Sequence, residues 1–372
     1  MGAALFAGGC SDSPAVPPGP DAAAVDAPAL TDLGPPPSSP AGFDPRQRGP
    51  FGVGFRTAPY TYTPAGSTAP RAIALHVWYP TWGAPAGPRP NHAGLFRDPE
   101  SVIDAPPAAP VYDGAYPVMV FSHGHQGFAG NAHFLMRWMA SHGWVAIAPD
   151  HTGNTLRDTP PTLPASIFHL RGRDVSAALD ALAAGSPGGP LAGPVRTDRV
   201  LLVGHSFGSH TTWAVAGATY DLAAVEARCM GPNPCVEGDR EAFRAGGRDP
   251  RVVAVVPMAG TIRRVWFGPE GHRGVMVPVL ALSGSDDPVG AAEQFAETAP
   301  IPMVWADIQG GCHQFFGFGG CANAPDALQG PIVGALVLAF GRQTVLGDTN
   351  EVVRGIVAGQ TVVSERVTLQ RR

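Results

Sequence analysis

The chain has 372 residues, of which 44% are hydrophobic and only 15% are charged, and its formal net charge is −5. This composition allows one large hydrophobic core or two modest ones. No basic run is present, which argues against nucleic acid as a partner. All 25 positively charged side chains are arginine. The absence of lysine excludes a Schiff-base lysine, a P-loop lysine and a Ser–Lys dyad.

The first 40 residues differ in composition from the rest of the chain. Residues 1–10 hold a short apolar stretch, two glycines and Cys10, which is similar to the end of a bacterial lipoprotein signal that is lipidated at its cysteine. Residues 11–40 are rich in Pro, Ala, Asp and Ser and predict a disordered tether. We therefore expect an exported protein, secreted or attached to a membrane only through a lipid anchor, with its folded domain at 41–372.

Four further cysteines form two close pairs, Cys229 with Cys235 and Cys312 with Cys321. Two such pairs in an exported chain predict two disulfides. Buried free thiols and a zinc site are the alternatives. Zinc would favour C-x-x-C spacing or histidines placed as ligands, so we predict no metal site here.

Strand and helix patterns alternate after residue 115, which predicts an α/β fold with a mostly parallel central sheet and helices on both faces. Two antiparallel strands, in 51–63 and 71–80, are expected at one edge, followed by an irregular loop. The insertion at 220–250 carries the first cysteine pair and is expected to form a small cap. The predicted core strands are 116–122, 144–149, 198–203, 251–257, 277–283 and 301–308, and the predicted helices are 132–141, 166–185 and 328–340.

The segment VLLVGHSFGSH places Ser206 at the centre of a Gly-x-Ser-x-Gly pattern. An apolar strand leads into the pattern and a helix of small residues follows it. This strand–turn–helix context predicts a nucleophile elbow, in which a tight turn lifts the serine hydroxyl clear of the sheet. The alternative is a glycine-rich turn whose serine has no catalytic role.

A nucleophilic serine needs a base to take its proton and a carboxylate to orient that base. In α/β-hydrolases the acid and then the histidine follow the serine along the chain. Asp286 and Asp287 both follow a predicted strand, and the common spacing after the strand's glycine favours Asp287. His313 follows the last predicted core strand and is the predicted base.

The tetrahedral intermediate of acyl transfer needs two N–H donors. We assign them to Phe207, directly after the nucleophile, and to His125 in the segment FSHGHQG. A metal site at these histidines is the alternative, although no carboxylate or cysteine lies nearby in the sequence. Phe128, Phe315 and Phe316 follow the predicted site residues closely, and we expect them either to line a shallow substrate pocket or to pack in the core below it.

The segments LHVWYP, VFSHGHQG, APDHTGN and GHSFGSHT together resemble the platelet-activating-factor acetylhydrolase and dienelactone-hydrolase-like branch of the α/β-hydrolases. The resemblance covers residues 70–340 or so, and the elbow and the His-Gly motif are its most specific parts. It implies carboxylic ester hydrolysis without a cofactor. By position it implies a triad of Ser206, Asp287 and His313, with His125 and Phe207 as the oxyanion donors. Cys312 beside the catalytic histidine departs from housekeeping members of that branch, and secreted polyester hydrolases also place a disulfide near that loop.

Together these features predict a serine esterase that acts on short-acyl esters through an acyl-enzyme intermediate. A cutinase-like hydrolase of polymeric esters, including polyesters of the PET type, is the alternative within the fold. A lipoprotein that keeps the fold only as a binding module is the alternative from another class.

Overall fold

The computed structural model describes residue 40, residues 42–299 and residues 301–372. The chain divides into two units, Met1–Gly34 and Pro35–Arg372, and every described residue lies in the second. Cys10 and nearly all of the predicted tether lie outside the described residues. The lipoprotein signal, the tether and the domain boundary at residue 41 therefore stay predictions.

The strands follow the apolar runs of the sequence. Tyr116–Ser122 is buried along its whole length, as expected for a strand that is covered on both faces. In chain order the strands of the described residues are β1 Gly52–Tyr62, β2 Arg71–Thr81, β3 Asn91–His92, β4 Phe96–Arg97, β5 Ser101–Ile103, β6 Tyr116–Ser122, β7 Val145–Asp150, β8 Val195–His205, β9 Val252–Met258, β10 Val279–Gly284, β11 Met303–Ile308 and β12 Val367–Arg371.

Ten of these strands form one sheet in the order β12-β11-β10-β9-β8-β6-β7-β2-β1-β5. The six central strands, from β11 to β7 in that order, are parallel to their neighbours. Antiparallel pairs join β1 to β2, β2 to β7, and β11 to β12. The predicted α/β fold with a mostly parallel sheet is therefore confirmed. Because the carboxyl ends of parallel strands meet at one edge, the loops after β6, β8, β10 and β11 lie at the same edge.

Helices cover both faces of the sheet and create two cores. Leu201 and Leu202 are neighbours on β8, yet they belong to different cores, because successive side chains of a strand point to opposite faces. The helices of the described residues are α1 His133–Ser141, α2 Ile167–Ala183, α3 Phe207–Ala216, α4 Leu222–Cys229, α5 Asp239–Ala245, α6 Arg264–Phe267, α7 Ala291–Glu297, α8 Ala335–Val345 and α9 Glu351–Ala358. None of the helices within these ranges is long and apolar enough to cross a membrane.

Three segments differ from the sequence-based expectation. The predicted helix 328–340 contains a π-helical turn, Gly330–Gly334, and α8 continues it to Val345. The loop 81–115 contains the short strands β3 to β5. The C-terminal α9 and β12 were not predicted from the sequence, and Asn350 caps α9 through its side chain.

The predicted insertion at 220–250 forms the two short helices α4 and α5. The Asp221 carboxylate caps α4 by accepting from Ala223 N at 2.9 Å and from Ala224 N at 3.1 Å. The insertion is attached to the beginning of α2, where Asp239 lies 2.9 Å from His169 Nε2. It is thus a small helical addition beside α2 and α6.

Candidate active site

Ser206 lies at the sharp turn between β8 and α3. Its φ of 55° and ψ of −111° are unusual for a residue with a side chain, and such strain persists only where the surrounding structure imposes it. The residue is half-buried. The turn therefore presents the serine hydroxyl at the carboxyl edge of the sheet.

The glycines on either side of Ser206 are required by close packing. A Cβ atom on Gly204 would lie 2.2 Å from Gly208 O, and a Cβ atom on Gly208 would lie 1.9 Å from Ser122 O. No side chain fits at these distances, because the obstructing atoms belong to the backbone. The Gly-x-Ser-x-Gly pattern is thus a steric requirement of this turn.

His313 and Asp287 come together from the loops after β11 and β10. His313 Nδ1 lies 2.8 Å from Asp287 Oδ2, and the two side chains are 36% and 9% exposed. A histidine that donates its Nδ1 proton to a carboxylate has Nε2 available as a base. A bond from Ser206 Oγ to His313 is not among the hydrogen bonds of the described residues. Such catalytic bonds are often long before substrate binds.

His205 connects the elbow to the His313 loop, and its role was not predicted from the sequence. Its Nε2 donates to the His313 carbonyl oxygen over 2.9 Å, and its Nδ1 accepts from Asn131 Nδ2 over 3.2 Å. Burial and the nearby His313 lower the pKa of His205 to about 3, so its ring is neutral at pH 7. His205 therefore ties the backbone of His313 to the residue that precedes the nucleophile.

The two candidate carboxylates have different partners. Asp286 accepts from Ser285 Oγ over 3.0 Å and from Asn323 Nδ2 over 2.7 Å. Its carboxylate is therefore engaged by its own loop and by the loop that carries Asn323. Only Asp287 of the two is bonded to His313.

The His-Gly turn after β6 lies against the nucleophile. A Cβ atom on Gly124 would be 3.1 Å from Ser206 Cβ, so the two loops are in contact. Gly127 N donates to Gly124 O over 3.2 Å, which closes a tight turn around His125. Within the described residues the His125 N–H makes no hydrogen bond. Phe207 begins α3, so its N–H has no acceptor inside that helix.

Phe315 and Phe316 do not line an open pocket. Neither side chain has exposed surface, and both pack in the core on the side of α1 and α8. The short 3₁₀ turn His313–Phe316 directs both rings inward. This corrects the pocket expectation in favour of the core-packing alternative.

A different aromatic residue, Phe318, packs against Phe128. Phe318 is half-buried in the loop after His313, and its ring lies 6.0 Å from that of Phe128 and 5.8 Å from that of Phe96. Phe128 is only 7% exposed. Phe128, Phe315, Phe316 and Phe318 all follow predicted site residues closely, and nothing in their spacing shows which ring faces outward.

Both predicted cysteine pairs are joined. The Cα atoms of Cys229 and Cys235 are 4.7 Å apart, and those of Cys312 and Cys321 are 5.6 Å apart. Two disulfides are typical of an exported protein. The second one closes the loop that begins at His313 and includes Phe318.

Reduction of the Cys312–Cys321 bond should lower activity before the protein unfolds. A loop of this size contributes roughly 2–3 kcal/mol in the chain-entropy model, and the constraint acts on the segment that positions His313. We expect a reductant to lower kcat at temperatures where far-ultraviolet circular dichroism is unchanged. The Cys229→Ser/Cys235→Ser double variant is the matched control and should stay sensitive to reductant. Equal kcat with the Cys312–Cys321 disulfide intact and with it reduced would contradict this expectation.

The chain is similar to known proteins in part of its sequence and in its fold. The sequence model of the chlorophyllase family matches residues 97–257, which include Ser206 but end before Asp287 and His313. A ferulic acid esterase from Streptomyces cinnamoneus is similar in structure, with a TM-score of 0.60 and 18% sequence identity over 86% of this chain and 97% of that one. No curated protein matches the chain. With the sheet order described above, these matches show that the chain has the α/β-hydrolase fold.

Proposed function

We propose that this protein is a serine-dependent carboxylic ester hydrolase. The observation that carries the proposal is the 2.8 Å bond between Asp287 and His313, on loops adjacent to the strained Ser206 elbow. The fold is shared with esterases, and the assigned residues supply each role that acyl transfer needs.

In the proposed mechanism, Ser206 Oγ attacks the carbonyl carbon of the ester while His313 Nε2 takes its proton. The His125 and Phe207 N–H groups donate to the developing oxyanion. His313 then protonates the departing alcohol, and Asp287 stabilises the imidazolium. A water molecule, deprotonated by His313, attacks the acyl-enzyme and releases the carboxylic acid.

The surroundings of Ser206 support short-acyl substrates. The Gly124 turn lies against Ser206, since a Cβ atom on Gly124 would be 3.1 Å from Ser206 Cβ, and the Phe207 side chain that follows the nucleophile is buried in the core. A long acyl chain needs a deep apolar tunnel to bury its surface. A shallow site instead favours an acetyl or butyryl group, or a flat aromatic group that lies against Phe318.

Hydrolysis of a polymeric ester, cutinase-like or of the PET type, is the second candidate. The half-buried Phe318 ring, held in a disulfide-closed loop, favours it, because an aromatic unit of a bound chain could stack there. A binding module without activity is disfavoured, since such a protein has no need for a serine, a histidine and a carboxylate in these roles. Attachment to a membrane through Cys10 is part of the proposal for an exported enzyme.

The test of substrate size is a series of nitrophenyl esters, measured below micelle-forming concentrations. We expect kcat/KM to be higher for the acetyl and butyryl esters than for the dodecanoyl ester. One extra methylene in such a pocket changes the barrier by about 1–3 kcal/mol, and the rest of a longer chain projects into solvent, so the decline should be clear but not absolute. A maximum at eight carbons or beyond would contradict the short-acyl proposal. Absence of turnover on every ester, with no labelling by a fluorophosphonate probe, would contradict the esterase proposal itself.

A further inference from the structure

Arg171 is a fully buried arginine in the second turn of α2, with no exposed surface. A buried cation is costly unless its donors are satisfied. Burial lowers the pKa of Arg171 to about 9, so the guanidinium stays charged at neutral pH. All of its hydrogen bonds go to uncharged oxygen atoms. The location of these four acceptors indicates why a charged side chain is buried at this position.

The acceptors lie on the segments that surround the proposed oxyanion hole. Arg171 Nη2 donates to the His123 carbonyl oxygen and, over 3.1 Å, to Ser122 Oγ, at the end of β6. Nε donates to Thr211 Oγ1 on α3 over 3.1 Å. The guanidinium carbon lies 4.6 Å from the centre of the Phe207 ring, within cation–π range.

Asn154 extends this contact to His125. Arg171 Nη1 donates to Asn154 Oδ1 over 2.7 Å, which fixes the orientation of the amide. Asn154 Nδ2 then donates to His125 Nδ1 over 2.8 Å. Burial and the positive charge of Arg171 lower the pKa of His125, which keeps the ring neutral and able to accept this bond. The ring of His125 is thereby held in place.

A second set of buried groups fixes the opposite side of Ser122. Its Oγ lies 2.9 Å from His151 Nε2, and His151 Nδ1 lies 2.9 Å from Asp174 Oδ2. Asp174 is in turn paired with Arg71 at 2.7 Å. The position of the β6 terminus is therefore determined by a continuous network, and Arg171 is the member of that network that contacts both oxyanion segments.

We propose that Arg171 is a positioning residue that sets the separation of the His125 and Phe207 N–H groups. This inference rests on the proposed esterase function and names the group that holds its oxyanion hole. The guanidinium does not touch the substrate. It acts through the His123 carbonyl and Asn154 on one side and through the Phe207 ring and Thr211 on the other.

The test compares Arg171→Met and Arg171→Lys with a matched control, Arg342→Met. Arg342 is also almost completely buried and is paired with Asp348 at 2.6 Å, but it contacts neither oxyanion segment. For each protein we would measure kcat and KM on nitrophenyl butyrate and the inhibition constant of butylboronic acid. The boronate adduct of a serine is tetrahedral and therefore requires a formed oxyanion hole.

For Arg171→Met we expect kcat to fall about 100-fold, as after loss of one oxyanion donor, with KM within about threefold of wild type. The boronic acid should bind more weakly by a similar factor. Arg171→Lys should recover part of kcat, because an ammonium can bond some of the same acceptors. Arg342→Met should lower the unfolding temperature but leave kcat and boronate affinity unchanged. Asn154→Leu, which removes the link between Arg171 and His125 but leaves the other bonds of Arg171, should lower kcat about tenfold and gives a second variant if Arg171→Met does not fold.

The outcomes separate the inference from the function on which it depends. An active wild type whose Arg171→Met and Asn154→Leu variants keep kcat and boronate affinity within threefold would overturn the inference alone. A loss of activity that is matched by Arg342→Met, with KM rising instead of kcat falling, would overturn it as well, since it would show a merely structural role. A wild type without activity on esters would overturn the proposed function and this inference with it.

Discussion

Replacing Ser206 with alanine should lower kcat by roughly 10⁶-fold, the order of loss found when the serine nucleophile is removed from a hydrolase of this mechanism. Among the described residues, Ser206 is the only hydroxyl in the turn between β8 and α3, so no other group there could replace it as the nucleophile. The substitution removes one half-buried hydroxyl that makes no hydrogen bond in the described residues, so the fold should be unaffected. The measurement is kcat on nitrophenyl butyrate, with circular dichroism as the check on folding.

Ser209→Ala is the matched control for this substitution. Ser209 lies on the same helix, and its hydroxyl donates to Gly204 O and Met258 O. Met258 O also accepts from Ser206 N, so it keeps a donor when the Ser209 hydroxyl is lost. We expect Ser209→Ala to cost about 1 kcal/mol of stability and to keep most of the activity. A Ser206→Ala variant with more than a tenth of wild-type activity would rule out Ser206 as the nucleophile.

Much of the fold could be predicted from the sequence because its signals are local. β6, β10 and the second half of β8 are almost continuously apolar, and burial on both faces of a parallel sheet requires such a run. The Ser206 turn was equally visible, since backbone contacts at Gly204 and Gly208 leave no room for another residue. The C-terminal α9 and β12 gave shorter signals: α9 has only eight residues, and β12, which pairs with β11 at the edge of the sheet, has no fully buried residue.

The supporting groups of the site could not be predicted, because their roles depend on contacts between distant segments. Arg171, Asn154 and His123 lie on three elements, and only the folded sheet brings them together. In sequence, Arg171 is simply one of the arginines of an amphipathic helix. The supporting role of His205 was easier to suspect from the sequence, since this histidine directly precedes Ser206 in the Gly-x-Ser-x-Gly pattern. The rings of Phe315 and Phe316 point into the core because of a 3₁₀ turn that their spacing does not reveal.

Asp287→Asn should be far more damaging than Asp286→Asn, although the two residues are adjacent and the substitutions are chemically identical. An amide at 287 would donate from Nδ2 to His313 Nδ1 and so place the imidazole proton on Nε2, where it blocks acceptance of the Ser206 proton. The equivalent change in a serine protease triad lowers kcat about 10⁴-fold. At position 286 the amide oxygen can still accept from Ser285 Oγ or Asn323 Nδ2, and we expect kcat within threefold of wild type.

Both variants should be measured on nitrophenyl butyrate at pH 7.5, with unfolding temperatures to show that each is folded. If Asp286→Asn were the inactive variant, the orienting carboxylate would be Asp286, and the 2.8 Å bond between Asp287 and His313 would have no part in catalysis.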